Sequence, residues 1–238
     1  MLNNLNAGFF ETFGKTITSS DYMSMLFKGL GCTLLISVGA TVVGLILGTL
    51  VAIVKIIPSK KPIMRVLNGI CDVYVTVFRG TPMALQLFIM AFVIFAIRGF
   101  PMEIVAILAF GINSGAYVSE SIRAGILSVD IGQTEAGRAL GLPYSKTMVK
   151  IVIPQAIKNV IPAIGNEIIA LIKETSIVSM VGGLYDLTLV AKILGGGDKL
   201  ANFLVPMTTV ALFYLAIVYS LTFAIKLIER RLRASDKR

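Results

Sequence analysis

Histidine and tryptophan are absent from this 238-residue chain, and cysteine occurs only twice. Cys32 and Cys71 both lie in apolar segments without metal-ligand spacing, so neither a disulfide framework nor a zinc site is expected. No Gly-x-x-x-x-Gly-Lys-Ser/Thr motif occurs, and the nearest stretch, GGGDK at 195–199, lacks its spacing. Without histidine, a metal cluster or a nucleophile–base pair, we expect no enzyme and no cofactor bound by this chain.

Charged residues are also scarce. They make up 15% of the chain, whereas hydrophobic residues make up 56% and the mean hydropathy is +0.86. Soluble domains carry about 25% charged residues. Residues 29–54 and 200–225 contain no charge at all, and each run exceeds the roughly 20 residues that a helix needs to cross a bilayer. The composition therefore predicts an all-α, polytopic membrane protein.

The net charge of +9 has two explanations. In a soluble protein, such a charge would suggest a nucleic-acid partner. In a membrane protein, Lys and Arg collect on the cytoplasmic loops, and this explanation fits the apolar composition better. No nucleic-acid partner is therefore expected, and the basic residues become markers of the cytoplasmic side.

The apolar segments predict five transmembrane helices. Their approximate residues are 30–54, 66–97, 102–126, 154–178 and 203–227. They lie within one membrane domain over residues 23–229. Residues 1–22 lack the features of a signal peptide and are expected to form a short extracytoplasmic arm, and residues 230–238 to form a basic cytoplasmic tail.

Segment 66–97 is too long for a simple crossing. As one helix it would measure about 48 Å at about 1.5 Å per residue, against a hydrocarbon thickness of about 30 Å. It either crosses once, tilted or broken near Gly80-Thr81-Pro82, or crosses twice. A single crossing keeps the basic loops on one side, as the positive-inside rule favours. We therefore expect one crossing, in the inner membrane, with the N-terminus outside and the C-terminus in the cytoplasm.

A charged segment interrupts the apolar pattern at residues 131–154. Glu135 to Leu140 favours a helix, and Gly141-Leu142-Pro143 ends it because glycine permits unusual backbone angles and proline suits the start of a new helix. The pattern predicts two short helices joined at a bend on the cytoplasmic face. Either this bend is an ordinary loop, or it presents a shape to a cytoplasmic partner.

The same segment resembles the EAA motif of bacterial ABC importer permeases. That motif reads Glu-Ala-Ala, three residues, Gly, nine residues, Ile, one residue and Leu-Pro. The matching residues, all at the motif's spacing, are Glu135, Ala136, Gly141, Ile151 and Pro154. Gly137 replaces the third Ala and Ile153 replaces Leu.

Three further stretches are similar to the polar amino acid subfamily of these permeases. They are VYVTVFRGTPMALQLF (73–88), GAYVSESIRAGILSVDIGQTEAGRALG (115–141) and KETSIVSMVGG (173–183). The resemblance implies the type I ABC importer permease fold. It also implies a second permease subunit, two cytoplasmic ATPase subunits that hold ATP and Mg²⁺, an extracytoplasmic substrate-binding protein, and a polar amino acid as substrate. The EAA segment would then be the coupling helix, with contact residues Glu135, Ala136, Gly137, Ala139, Leu140, Gly141 and Leu142.

The fourth apolar segment carries polar residues at helical spacing. Asn159, Asn166 and Lys173 are seven apart, as are Glu167 and Glu174, so they follow one side of a helix. Polar groups in a span normally face a cavity or a partner. The stripe therefore lines a substrate pathway or packs a dimer interface.

Two residues in other spans are also candidates for the pathway. Arg79 could line a break at Gly80-Thr81-Pro82, since a broken helix exposes backbone groups. Glu120 lies three residues before Arg123, and a salt bridge at the membrane interface is its alternative role. The candidate pathway residues are Asn166, Glu167, Lys173, Glu174, Arg79 and Glu120.

These observations predict the permease subunit of an ATP-driven amino acid importer. The alternative is a non-transporting membrane scaffold that recruits a soluble partner through its cytoplasmic loop. A scaffold needs no polar stripe within the membrane, and a channel gives no reason for the EAA spacing.

Overall fold

A computed structural model describes residues 2–196 and 203–234, and within these ranges the regular structure is helical. Proceeding along the chain, the α-helices are α1 Leu2–Thr18, α2 Ser20–Ile56, α3 Pro62–Gly80, α4 Met83–Ile89, α5 Met102–Leu127, α6 Ile131–Ala139, α7 Tyr144–Thr147, α8 Ile153–Glu174, α9 Leu187–Gly196 and α10 Leu204–Ala234. Helix α4 continues as a π-helical turn over Met90–Ile94, and another π-helical turn, Met148–Val152, joins α7 to α8. A 3-10 turn over Thr175–Met180 extends α8.

Four helical stretches of the described chain are long and apolar enough to cross a membrane. They are Ser20–Ile56, Met102–Leu127, Tyr144–Met180 and Leu204–Leu232. The fifth crossing consists of α3 and α4 if this bent pair counts as one span. The five apolar segments predicted from the sequence thus each correspond to helical structure.

Three helices extend beyond the predicted boundaries. Helix α2 begins at Ser20, ten residues before the predicted start, and α1 forms most of the predicted arm, where it packs against α2 and α10. The fourth span begins at Tyr144, because α7, the π-helical turn and α8 run on as one helix. The prediction of a second short helix was therefore wrong. The predicted basic tail is helical as far as Ala234, and residues 235–238 lie outside the described part.

Of the two forms considered for a single crossing by segment 66–97, tilted or broken near Gly80-Thr81-Pro82, the structure has the break, and the break is sharp. Helices α3 and α4 meet at an angle of 110°. Pro82 lacks a backbone N–H, and its ring forces the preceding residue out of helical geometry. Thr81 accordingly has φ −120° and ψ 149°, and its hydroxyl donates to the Val77 carbonyl at 2.8 Å. The chain thus turns within two residues and opens backbone groups that need other partners.

Glycines bring α2 and α5 into close contact along most of their length. A Cβ at Gly48 would lie 2.6 Å from Val118 Cγ1 and 2.8 Å from the Gly115 carbonyl oxygen. A Cβ at Gly111 would lie 2.6 Å from an α2 side chain, and one at Gly44 would lie 2.9 Å from an α5 hydroxyl. Both helices therefore need small residues four apart at this seam, which is the role of small-xxx-small spacing in membranes.

Helix α9 had no counterpart among the predicted elements. Its ten residues are too few to span a bilayer. Buried Asp186 begins it, since its carboxylate accepts the N–H groups of Thr188 at 2.9 Å and Leu189 at 3.1 Å. Leu187, together with other buried residues of α9, packs α9 against α2 and α10.

Replacing Gly48 by leucine should destabilise the chain, because the new side chain must enter the α2–α5 seam. We expect a loss of about 1–3 kcal/mol from overpacking, seen as a lower unfolding temperature of the full chain in detergent. Gly31→Leu in the same helix is the matched control, since nothing lies within 4 Å of its Cβ position. Equal unfolding temperatures for the two variants would contradict the close approach.

Candidate functional site

The EAA segment folds as a short helix that is capped at both ends. At its start, the Asp130 carboxylate accepts the Gly132 N–H at 2.7 Å. At its end, the Leu142 N–H donates to the Gly137 carbonyl at 3.0 Å and the Gly141 N–H to the Arg138 carbonyl at 2.9 Å. This pair of bonds is a Schellman motif, which requires a left-handed residue just after the helix.

Gly141 is that residue, with a φ of +75°. The left-handed region costs other residues roughly 1–2 kcal/mol, so glycine is favoured here for the backbone alone. Nothing lies within 4 Å of a Cβ built at this position. The bend predicted at Gly141-Leu142-Pro143 is therefore confirmed, and its surface is open.

Gly137 has a different role from the other residues predicted to contact a partner. A Cβ on it would lie 2.6 Å from Thr147 Cγ2, and Thr147 is fully buried. The threonine thus occupies the space that a side chain at 137 would take. Glycine at this position lets α6 pack closely on α7, and the position faces inward, away from a partner.

The remaining predicted contact residues lie at the surface to different degrees. Leu140 is the most prominent, at 80% exposed. Leu142 is partly buried. The exposed positions are Glu135, Ala136, Ala139, Leu140 and Gly141. The bend therefore presents one apolar side chain, Leu140, to its surroundings.

A network of ionic side chains joins α2, α3 and α5, with Glu120 at its centre. Its carboxylate oxygens accept Arg123 at 2.7 Å and Lys55 at 2.9 Å, and its side chain is 18% exposed. Lys55 also pairs with Asp72 at 3.1 Å. Arg79 lies 3.9 Å from Glu120. The contact of Glu120 with Arg123, expected from their spacing, is therefore confirmed, and both oxygens of Glu120 are engaged within the chain.

Lys55 and Asp72 were missed as members of this network. Lys55 follows the predicted first span, 30–54, whereas in the structure it lies in the last turn of α2 with a 16% exposed side chain. Asp72 could have been recognised as a candidate for an ion pair, because it is the single carboxylate in the apolar stretch 66–97. Arg79 makes one more contact, with its guanidinium carbon 5.2 Å from the centre of the Tyr117 ring.

Two side-chain amides donate hydrogen bonds to the backbone carbonyls that are freed at the α3–α4 break. Gln86 donates to the carbonyls of Phe78 at 2.9 Å and Thr81 at 3.1 Å. Asn113 of α5 donates to the same Phe78 carbonyl at 3.0 Å and to the Gln86 side-chain oxygen at 2.9 Å. We call Gln86 and Asn113 the amide clamp. Sequence reasoning missed it because the two residues are 27 positions apart.

The polar stripe of the fourth span divides into two parts. Near the start of α8, Asn159 donates to the Ser128 hydroxyl at 2.8 Å and thereby ties α8 to the end of α5. Farther along, Asn166 and Lys173 are exposed, whereas Glu167 and Glu174 are half-buried.

The half-buried Glu167 lies beside α5. Its carboxyl group lies near the buried Ser114 hydroxyl. Ser114 Oγ nevertheless has no partner in hydrogen-bond geometry. The candidate pathway residues thus form two groups, Arg79 with Glu120 around α3 and α5, and the other four along α8. Among the described residues, no cluster of His, Cys, Asp and Glu side chains could hold a metal ion.

Comparison with known proteins identifies relatives along most of the chain. A family model described as "Binding-protein-dependent transport system inner membrane component" matches residues 44–234. The arginine transport system permease protein ArtQ of Bacillus subtilis is 42% identical, over 89% of this chain and 94% of ArtQ. The putative glutamine transport system permease protein GlnP of Rickettsia bellii is 40% identical, over 94% and 100%. The L-cystine transport system permease protein TcyB of Bacillus subtilis is 35% identical, over 97% of each chain.

Solved structures with the same fold are also known. One described as an amino acid ABC transporter with histidines matches with a TM-score of 0.80 and 36% identity, over 89% of this chain and 95% of that one. The MetNI methionine ABC transporter, in an inward-facing conformation, matches with a TM-score of 0.72 over 90% and 99%. Its identity is 21%, so this second similarity concerns the fold alone.

Removing the charge of Glu120 should destabilise the α2–α3–α5 assembly. Glu120→Gln leaves three cations facing Asp72 alone, and we expect a loss of about 2–3 kcal/mol because the group is mostly buried. The unfolding temperature of the full chain in detergent measures it. Asp72→Asn is the control: its side chain is 64% exposed, so its loss should stay below about 1 kcal/mol. An effect of Asp72→Asn as large as that of Glu120→Gln would show that Glu120 is not the centre.

Proposed function

Because the chain belongs to the family of binding-protein-dependent transport system inner membrane components, we propose that it is the permease subunit of an ATP-driven importer of polar amino acids. The relatives described above are named as permeases for arginine, glutamine and cystine. All three are amino acids with polar side chains. The observation that carries the proposal is the exposed, glycine-hinged bend at Leu140-Gly141 within an EAA segment.

The proposed complex contains two permease subunits, either identical or related. Two cytoplasmic ATPase subunits bind ATP and Mg²⁺, and an extracytoplasmic binding protein delivers the substrate. The chain lies in the inner membrane with its N-terminus outside. Leu140, at the tip of the bend, inserts into a groove of the ATPase, because it is apolar and 80% exposed.

The helix that follows the bend provides the mechanical link. From Tyr144 to Met180 the chain is one helix, so a displacement of α6 by the ATPase moves α7 and α8 together. Glu167 and Glu174 are part of that helix. A movement that ATP drives at the cytoplasmic surface is therefore transmitted along a continuous helix to the polar residues in the membrane. The π-helical turn at Met148–Val152 is the irregular part of this helix between the bend and those residues.

The substrate pathway in this proposal runs along α8. Exposed Asn166 and Lys173 face the second subunit or the water-filled path, and half-buried Glu167 and Glu174 supply negative charge. Carboxylates suit the ammonium group that every amino acid carries, and they favour cationic side chains. Glu120 is already engaged, so its role is to hold Arg79 near the α3–α4 break.

A scaffold without transport remains the competing function. It would use the same exposed bend, but it gives no reason for half-buried carboxylates on a membrane helix. Transport measurements therefore separate the two.

Replacing Gly141 by aspartate should uncouple the ATPase without unfolding the spans. The left-handed backbone is strained by roughly 1–2 kcal/mol, and the charge sits beside Leu140. We expect normal membrane insertion, together with loss of co-purifying ATPase or of substrate-stimulated ATP hydrolysis. Glu135→Ala should have the same effect more weakly, since it removes one exposed charge from the middle of α6 and adds no backbone strain.

Gly99→Asp is the matched control for that experiment. Gly99 also has a positive φ, +83°, with nothing within 4 Å of its Cβ position. It therefore carries the same backbone strain outside the EAA segment. Normal ATPase binding and transport by Gly141→Asp, measured in vesicles, would remove the main support for the importer.

Replacing Glu167 by glutamine should change transport selectively. The carboxamide keeps the shape of the side chain but loses the negative charge, so we expect KM to rise more for arginine than for glutamine. Transport into vesicles with both substrates measures it. Glu103→Gln, in the first turn of α5, controls for the loss of one carboxylate elsewhere. Unchanged rate and preference in Glu167→Gln and Glu174→Gln would favour packing of a dimer interface.

A further inference from the structure

An apolar crevice opens where α2 and α5 end and α7 begins. Its volume is about 400 Å³ and its walls are almost wholly apolar. Residues that line it include Ile53, Ile57, Ile126, Tyr144, Met148 and Val149. Because these helix ends carry the EAA segment, the crevice lies at the membrane surface that faces the ATPase subunits.

Two cavities whose linings include charged side chains adjoin this crevice and share lining residues with it. Tyr144 and Pro58 also line a depression that contains Arg138. Tyr144 also lines a cavity of about 730 Å³ that contains Lys55 and Arg123. The apolar slot thus adjoins linings that contain the cationic side chains Arg138, Lys55 and Arg123, together with Asp130 in the larger cavity.

Several of the nearby cations have no anionic partner. Lys60 and Lys61 lie in the exposed loop that begins at Pro58, a lining residue of the crevice, and we call these two lysines together with Arg138 the rim. In the part of the chain that the structure describes, neither they nor Arg138 form a salt bridge. By contrast, Lys55 and Arg123 are paired with carboxylates. The rim therefore keeps uncompensated positive charge next to an apolar slot.

We propose that this crevice binds an anionic phospholipid of the surrounding bilayer. One acyl chain fills the slot between α2 and α7, and the phosphate headgroup is held by Arg138, Lys60 and Lys61. The shape and charge both fit this occupant: the slot accepts a chain without hydrogen bonds, and basic pockets between helix ends select anionic headgroups. The inference requires only that these helix ends meet the membrane surface, and it does not depend on which substrate is carried.

The bound lipid would support the joint of the coupling segment. Tyr144 is the first residue of α7 and follows the Schellman turn by two positions. Its ring forms a wall of the crevice, so a filled slot holds the start of the long helix against α2. An empty slot would let α7 shift relative to α2 when the ATPase pushes on α6.

The absence of tryptophan from the chain allows a direct test. Val149→Trp places a single fluorophore in the wall, where Val149 is 63% exposed. The full-length variant is reconstituted in vesicles of phosphatidylcholine that contain a small fraction of brominated lipid, either phosphatidylglycerol or phosphatidylcholine. We expect quenching to be at least about threefold more effective with the brominated phosphatidylglycerol.

Two further variants make the test specific. Val38→Trp, on the exposed membrane face of α2, should be quenched equally by both brominated lipids. In the Val149→Trp chain, replacing Arg138, Lys60 and Lys61 by glutamine should remove the preference for phosphatidylglycerol while quenching itself persists. If Val149→Trp does not fold, Ile57→Trp reports from the opposite wall of the crevice.

Three outcomes would overturn the proposal. Equal quenching of Val149→Trp by both lipids would mean that the slot takes any acyl chain without selection of the headgroup. Absence of quenching by either lipid would mean that protein, a second copy of this chain, covers the slot. A preference that survives the triple glutamine substitution would mean that the headgroup is recognised elsewhere.

Discussion

Backbone groups that leave a helix within a membrane must find partners in the protein, because hydrocarbon offers none. This constraint governs the α3–α4 break. Pro82 turns the chain by 110°, and the freed carbonyls of Phe78 and Thr81 are taken up by the amide clamp. Since Asn113 of the clamp belongs to α5, the break is fixed to the same helix that carries Glu120. The backbone at the break is thus held in one conformation by these hydrogen bonds.

Helix α5 is the common support of the remaining elements. Gly48 of α2 approaches it along the glycine seam, Glu120 binds cations from α2 and α3, and Ser128 at its end accepts a bond from Asn159 of α8. Helix α8 also packs closely on α5 beyond that bond, since a Cβ at Gly125 of α5 would clash with Val160 of α8. Movement of the long helix of α7 and α8 relative to α5 must therefore repack this contact as well as break one hydrogen bond, worth about 1 kcal/mol.

The sequence predicted features that depend on neighbouring residues. Long apolar runs predicted the helices, and Gly141 before Pro143 predicted the bend. The spacing of three residues between Glu120 and Arg123 predicted their ion pair. The sequence could not give contacts between distant segments: Lys55 reaches Glu120 across 65 positions. The continuous helix from Tyr144 was also missed. Lys146, Lys150 and Pro154 give its first residues the composition of a loop. The sequence also could not show that Gly137 faces inward, because this depends on the position of Thr147 in the folded chain.

Gly137 also explains how a departure from a motif can preserve its geometry. In the EAA pattern the third position is alanine, but here buried Thr147 occupies the volume that an alanine methyl group would fill. Glycine and threonine therefore act as a pair, and together they keep α6 close to the start of the long helix. In the proposed importer, close packing at this point matters for coupling, because a gap between α6 and α7 would absorb a displacement applied by an ATPase subunit. A scaffold that only recruits a partner would tolerate such a gap, whereas a transporter must transmit movement across it.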